Sequence, residues 1–189
     1  SVAVTMGPDL IISDITLTSA SIPPNGTGTY TVSGTYTLKN QGGADARSND
    51  YRNLWQEVGY LSTDTTLSGN DIVLQDVGTQ RGPLAPNATV VQSFDFTIPV
   101  GTAPGTYYLL VRADQYYTSL TLDEGFVAET DESNNVRASV PITLAGLPDL
   151  VITDVTVPAT TIQPNGTGTY TVPISYTLKN QGVSDARSS

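Results

Sequence analysis

Two acidic stretches hold the residue types that could do chemistry in this chain. One is Asp64-Thr65-Thr66-Leu67-Ser68-Gly69-Asn70-Asp71; the other combines Asp123-Glu124 with Glu129-Thr130-Asp131-Glu132-Ser133-Asn134-Asn135. Carboxylates and amides on tight loops present hard oxygens, which is calcium chemistry, and calcium takes about six to eight of them at roughly 2.3–2.6 Å. Neither stretch supplies that many alone. A cation site therefore requires Asp64, Asn70 and Asp71 to meet Asp131, Glu132 and Asn134 in space. The spacing lacks the regular alternation and terminal Glu of an EF-hand. A second reading stands beside this one: Asp and Asn hydrogen-bond their own backbone in turns, and acids keep a surface solvated. No cofactor is required on either reading, and calcium is the one the first would add.

Other chemistry is poorly served. The chain has no cysteine and no histidine, which excludes thiolate metal sites, disulfides, His-ligated zinc and Cys or His nucleophile systems. No Gly-x-Ser-x-Gly elbow, Ser-x-x-Lys pair or phosphate-cradling glycine loop appears, and the expectation is a protein without catalytic residues. A formal charge of −10 and an isoelectric point of 4.1 argue against nucleic acid and anionic membrane surfaces as partners. No apolar run reaches the length of a membrane span. Tyr116-Tyr117 would make a sugar-stacking platform if exposed and loop packing if not. Asn25, Asn87 and Asn165 each open an Asn-x-Thr glycosylation pattern. They are turns in a bacterial protein and glycan carriers in an archaeal or eukaryotic surface protein.

The elements that position these residues come twice. The segment from Pro8 to Ser48 returns from Pro148 to Ser188 at a constant offset of 140 residues, without insertion or deletion. Roughly two-thirds of the positions are identical, as expected of duplicated modules under one structural constraint. Ser1-Val2-Ala3-Val4 aligns at the same offset with Pro141-Ile142-Thr143-Leu144. Residues 1–7 thus read as an N-terminal strand or the tail of a preceding repeat, 8–147 as a complete repeat, and 148–189 as the first two strands of the next. The complete repeat is large enough for a hydrophobic core of its own, and the remainder is not.

Period-two alternation runs through the chain and helical periodicity is absent, so the class is all-β. In Thr29–Lys39 the residues Tyr30, Val32, Tyr36 and Leu38 share one face and threonines the other. Further strands are expected at Leu10–Leu17, Asn53–Leu61, Ile72–Val77, around Phe94, Phe96 and Ile98, from Tyr107 to Ala113, and from Val136 to Leu144 with Val136, Ala138, Val140, Ile142 and Leu144 on one face. Turn chemistry separates them at Pro23-Pro24-Asn25-Gly26, Asn40-Gln41-Gly42-Gly43, Ala85-Pro86-Asn87 and Ala103-Pro104-Gly105. Seven strands so spaced predict an immunoglobulin or fibronectin III-like sandwich in tandem repeats, with Trp55 in the core and Tyr107 placed as a tyrosine-corner residue.

Six ordered blocks carry a resemblance: Pro8-Asp9-Leu10, Leu38-Lys39-Asn40-Gln41-Gly42, Tyr60-Leu61-Ser62-Thr63-Asp64, Leu84-Ala85-Pro86-Asn87, Pro104-Gly105-Thr106-Tyr107-Tyr108 and Glu129–Asn135. Together they resemble the CARDB family, the cell-adhesion-related domain found in bacteria and archaea. The resemblance covers 8–147 and recurs in the first strands of the second copy. It implies an immunoglobulin-like sandwich in secreted or surface proteins, commonly in tandem, and it supplies no catalytic residues. Extra length relative to the family pattern falls near Gln75–Gly82 and Gln115–Gly125.

The function expected is that of a non-enzymatic, extracellular structural or adhesion module of a repetitive surface, stalk or filament protein. The alternative is a glycan- or protein-binding adhesin module, or an accessory domain of a secreted hydrolase. The partners expected are neighbouring copies or adjacent repeats, and a glycan or surface protein on the alternative. Because 148–189 holds only two strands, Tyr170, Val172, Tyr176 and Leu178 would keep a buried-type face with nothing of their own to cover it. That face is expected to assemble with another chain by strand addition or sandwich packing.

Overall fold

The alternation of Tyr30, Val32, Tyr36 and Leu38 is the inward face of the longest strand, and all four side chains are buried. The computed structural model describes residues 6–25, 28–48, 54–115, 125–158 and 161–186. The chain forms two units, 1–144 and 145–189. Residues 1–5, Asn53, Tyr116-Tyr117 and Asp123-Glu124 lie outside the described residues.

The first unit is all-β: β1 (Leu10–Leu17), β2 (Ser21–Ile22), β3 (Tyr30–Asn40), β4 (Leu54–Ser62), β5 (Ile72–Arg81), β6 (Thr89–Ile98), β7 (Gly105–Arg112), β8 (Val136–Ala138) and β9 (Ile142–Leu144). One sheet has the order β1-β3-β6. The other has the order β2-β9-β7-β4-β5, with β8 also on β7. The chain changes sheets between β1 and β2, and β2 then runs parallel to β9. Both inner faces meet in one core that includes Leu10, Ile12, Trp55, Leu61, Phe94, Phe96, Leu109 and Ile142. The architecture is that of an immunoglobulin-like sandwich.

Two contacts fix how the sheets mate. Phe94 and Phe96 stack with ring centroids 4.7 Å apart, and Gly59 on the opposite sheet leaves the space that Phe96 enters: a Cβ there would lie 2.3 Å from the ring. Across the same gap the buried Tyr36 hydroxyl donates to Glu57 Oε2 at 3.0 Å. At the strand β7 corner the Tyr107 hydroxyl donates to the Ala103 carbonyl at 3.0 Å, the return bond that a tyrosine corner makes.

The strand count differs from the seven expected. The added strand β2 is too short to show as alternation. The single strand expected over Val136–Leu144 is two, because the register on β7 slips by one residue between Ala138 (opposite Leu110) and Ile142 (opposite Tyr107). A one-residue bulge exchanges the faces. Ile142 and Leu144 enter the main core. Val136 and Ala138 instead join a smaller cluster with Val58, Tyr60 and Leu110, and Val140, expected inside, is exposed. The stretch Gln75–Gly82 belongs mostly to β5, which runs on to Arg81.

The second unit contains β10 (Leu150–Thr156) and β11 (Ser175–Asn180). Their antiparallel register repeats that of β1 and β3 at the offset of 140 residues, including the irregularity between Ile152 and Asp154 that matches Ile12 and Asp14. The strand expected over Thr169–Val172 does not form; that stretch holds one isolated bridge, Pro164 to Tyr170. The reason is visible in the first unit. There β1 pairs only with Gly34–Asn40, while the ladder of Tyr30–Ser33 is with β6, the Ser33 carbonyl also accepting the Thr18 N–H at 2.9 Å. Among the described residues of the second unit no strand flanks Thr169–Val172 as β6 flanks Tyr30–Ser33, and Pro173, in place of Ser33, has no N–H to offer a ladder.

Candidate functional site

The Asp64–Asp71 and Glu129–Asn135 stretches do not converge. Ser62, which leads into Asp64–Asp71, pairs with Tyr108, whereas Val136, which follows Glu129–Asn135, pairs with Arg112. The loops thus leave opposite ends of the same strand, about 13 Å apart along it at 3.3 Å per residue. The expected joint site of Asp64, Asn70 and Asp71 with Asp131, Glu132 and Asn134 is corrected by strand order, which no sequence pattern states. Among the described residues no group of three or more Asp, Glu, His or Cys side chains is placed to hold a metal by itself.

Within the first loop the side chains serve their own turns. Asp64 Oδ1 accepts the Thr66 N–H at 2.7 Å and Asp71 Oδ2 accepts the Ser68 N–H at 2.7 Å, while the Asn70 N–H faces Ser68 Oγ at 3.4 Å. Asn25 and Asn165 organise equivalent turns, each accepting through Oδ1 the N–H four residues on, from Thr29 and Thr169 at 3.0 Å. Asn87 occupies a left-handed backbone position at φ 61°, which Asn tolerates better than most residues. All three Asn side chains are exposed.

The second loop does more than turn. It ties the start of β1 to the far end of β7, closing one end of the sandwich. Glu129 accepts the Leu10 N–H through Oε2 and the Asn135 amide through Oε1, the latter at 3.0 Å. Asn134 Nδ2 donates to Asp9 Oδ1 at 3.0 Å, and the Thr130 N–H to the Pro8 carbonyl at 2.9 Å. Asp9 is held in turn by Asn40, whose Oδ1 accepts the Asp9 N–H at 3.1 Å and whose Nδ2 reaches the Ala44 and Leu84 carbonyls at 2.8 Å. Glu132 Oε1 accepts the Glu129 N–H at 3.0 Å. Asp131 is exposed, and its bonds from Ser133 hold its carboxyl below the usual range.

Asp114 stands at the same end, just beyond β7. Its backbone is left-handed at φ 47°, held there by its own carboxylate, which accepts the Phe126 and Val127 N–H groups at 3.0 and 2.8 Å. Burial raises this carboxyl to about 6 against the pull of those two bonds. Burial likewise raises Glu129 to about 9, opposed by the Leu10 N–H and reinforced by the charges of Asp114 and Glu132. Sequence reasoning counted Glu129 and Asn135 as part of an acidic block and passed over Asp9, Asn40 and Asp114. A usable signal existed: Asp9 and Asn40 recur as Asp149 and Asn180, and Asn180 Oδ1 accepts the Asp149 N–H at 3.0 Å just as Asn40 does.

The second unit offers a surface of a different kind. Tyr170, Val172, Tyr176 and Leu178, with Leu150, Ile152 and Val155, are all exposed. The counterparts of the first six, Tyr30, Val32, Tyr36, Leu38, Leu10 and Ile12, are buried in the first unit, and Ile15, the counterpart of Val155, is half-buried.

A family model described as CARDB matches residues 7–139. No curated protein matches the sequence. Among solved structures, the CARDB domain of a Pyrococcus furiosus protein, described as in complex with di-metal ions, is similar over 75% of this chain and 93% of that one at 20% identity and a TM-score of 0.47. A β-glucosidase from Listeria innocua is similar over 72% of this chain, at 10% identity and a TM-score of 0.38, and the match spans 16% of the enzyme. A β-glucosidase involved in saponin metabolism from intestinal bacteria gives 17% identity and the same TM-score over 73% of this chain and 16% of its own.

Proposed function

We propose, from the premise that this chain belongs to the CARDB family, that its adhesion-related module works outside the cell as a non-enzymatic structural element of a repetitive surface, stalk or filament protein. The module holds itself closed at both sheets and at the acidic end. The second unit, which repeats the opening segment of the first, presents an open apolar face. In this reading the second unit is the joint: a neighbouring copy or an adjacent repeat covers Tyr170, Val172, Tyr176 and Leu178 by adding a strand beside β11 and packing on its inner face.

One observation carries the proposal. The hairpin of β10 and β11 has the register of β1 and β3, yet its apolar face is uncovered. Light scattering over a concentration series tests it. The chain should associate reversibly, and Val172→Lys with Leu178→Lys should abolish association while leaving the melting of the first unit unchanged. A chain that stays monomeric to millimolar concentration, or a double variant that associates as before, would overturn the reading.

A further inference from the structure

Two strand pairs of the same register and closely related sequence can compete for one seat. Neighbouring repeats characteristically misassemble by exchanging like elements, within a chain or between two. The seat in question is the one β1 and β3 occupy against β6 and the facing sheet. Most of the second pair, β10 and β11, would suit it: the buried side chains of β1 and β3 recur unchanged, from Leu150 and Ile152 to Tyr176 and Leu178.

The misfit is concentrated at one end of the strands. Gly34 lies opposite Leu17 on β1 and Phe94 on β6. A Cβ on Gly34 would stand 2.3 Å from the Thr16 carbonyl oxygen and 2.8 Å from Phe94 Cζ. Neither neighbour gives way cheaply. The carbonyl is backbone, and the Phe94 ring is stacked on Phe96, which itself fills the space over Gly59. The second copy has Ile174 here, with a β-branched side chain where the seat has no room for a methyl group. The adjoining row changes as well. The Thr18 N–H donates to the Ser33 carbonyl at 2.9 Å, and the counterparts of these residues are Pro158 and Pro173, neither of which has an N–H. Both changes show in the second unit. Its ladder stops at Thr156 and Ser175, one pair short of the Leu17 and Gly34 that close the first, and Ile174 is 60% exposed.

We propose that Ile174, with Pro158 and Pro173, makes the two copies non-interchangeable: the first unit admits a strand pair with glycine at position 34 and rejects β10 and β11, whether from its own chain or from a second copy. The inference rests on the geometry around Gly34 and is independent of what covers β11.

The test is refolding of the whole chain from denaturant, followed by hydrogen exchange read by mass spectrometry, in the parent and in the triple variant Pro158→Thr, Pro173→Ser and Ile174→Gly. In the parent every molecule should protect Tyr36–Asn40. In the triple variant a second population should appear in which protection has moved to Tyr176–Asn180, together with exchanged dimers that increase with protein concentration during refolding. Association at β11 alone leaves Tyr36–Asn40 protected in every molecule, so it is not confused with exchange. The reverse change, Gly34→Ile, should lower the denaturation midpoint of the first unit; if that variant does not fold, Gly34→Ala should lower it in the same direction. A triple variant that protects Tyr36–Asn40 in every molecule, a parent in which both copies already share the seat, or a Gly34→Ala variant as stable as the parent would each overturn the proposal.

Discussion

Two related segments of about forty residues, roughly two-thirds identical, fold in this molecule with opposite results for their side chains. In the first unit Leu10, Leu38 and Tyr36 are 0%, 0% and 1% exposed; in the second, Leu150, Leu178 and Tyr176 are 53%, 56% and 60% exposed. The backbone pairing is nonetheless the same from Leu10 to Thr16 and from Leu150 to Thr156, irregularity included. Register is therefore set locally, by the Asn25 and Asn165 turns and by the Asn40 and Asn180 staples. Burial is set by what comes later, chiefly β6 and the sheet of β4 and β7. The part of the strand laddered to β6 and not to β1, Tyr30–Ser33, is also the part that has no strand counterpart among the described residues of the second unit.

If that division is right, core truncations in the first unit should be the most damaging. Phe96→Ala, which empties the space in front of Gly59, should cost about 3–5 kcal/mol by denaturant unfolding, and a near-parental midpoint would show that the sheets mate elsewhere. The sharper form of the comparison uses equivalent residues. Leu38→Ala should cost about 2–5 kcal/mol, whereas Leu178→Ala in dilute monomer should stay within about 0.5 kcal/mol. Similar losses at both positions would mean that the second unit has a core of its own.

Filling rather than emptying the same contact gives a smaller effect. Gly59→Ala places a methyl group into the Phe96 ring, and overpacking should cost about 1–3 kcal/mol. The pH dependence supplies a smaller signal still. Burial first, and then the Glu57 carboxylate, push the Tyr36 hydroxyl far above its ordinary value of 10. The unfolded chain gives up that proton as pH passes 10 and the folded chain keeps it. Its contribution to stability is whole below pH 10 and falls above it by about 1.4 kcal/mol per pH unit. Tyr36→Phe should remove that slope, and an unchanged alkaline slope in the variant would assign it to another group.

Much of the sandwich was legible in the sequence because half-buried strands write their faces with period two, as in Tyr30–Leu38 and Phe94–Ile98. The bulge between Ala138 and Ile142 was not, since a one-residue slip leaves the alternation of Val136–Leu144 intact on paper while exchanging its faces; Pro141 was the only cue. The missing strand at Thr169–Val172 has the alternation of its counterpart and fails for want of a partner, which periodicity does not encode. The acidic residues show the same limit. Their types were evident, but which loops meet depends on strand order, and that order sends Asp64–Asp71 and Glu129–Asn135 to opposite ends of β7.

Hydrogen exchange on the dilute, strictly monomeric chain compares the two copies within one molecule and tests the account most directly. Amides of Tyr36–Asn40 should exchange only through global unfolding, and those of Tyr176–Asn180 should exchange far faster despite the same register. Equal, strong protection of both segments in the monomer would contradict it, because the pairing of β10 with β11 would then be stabilised without the cover that β6 and the facing sheet provide in the first unit.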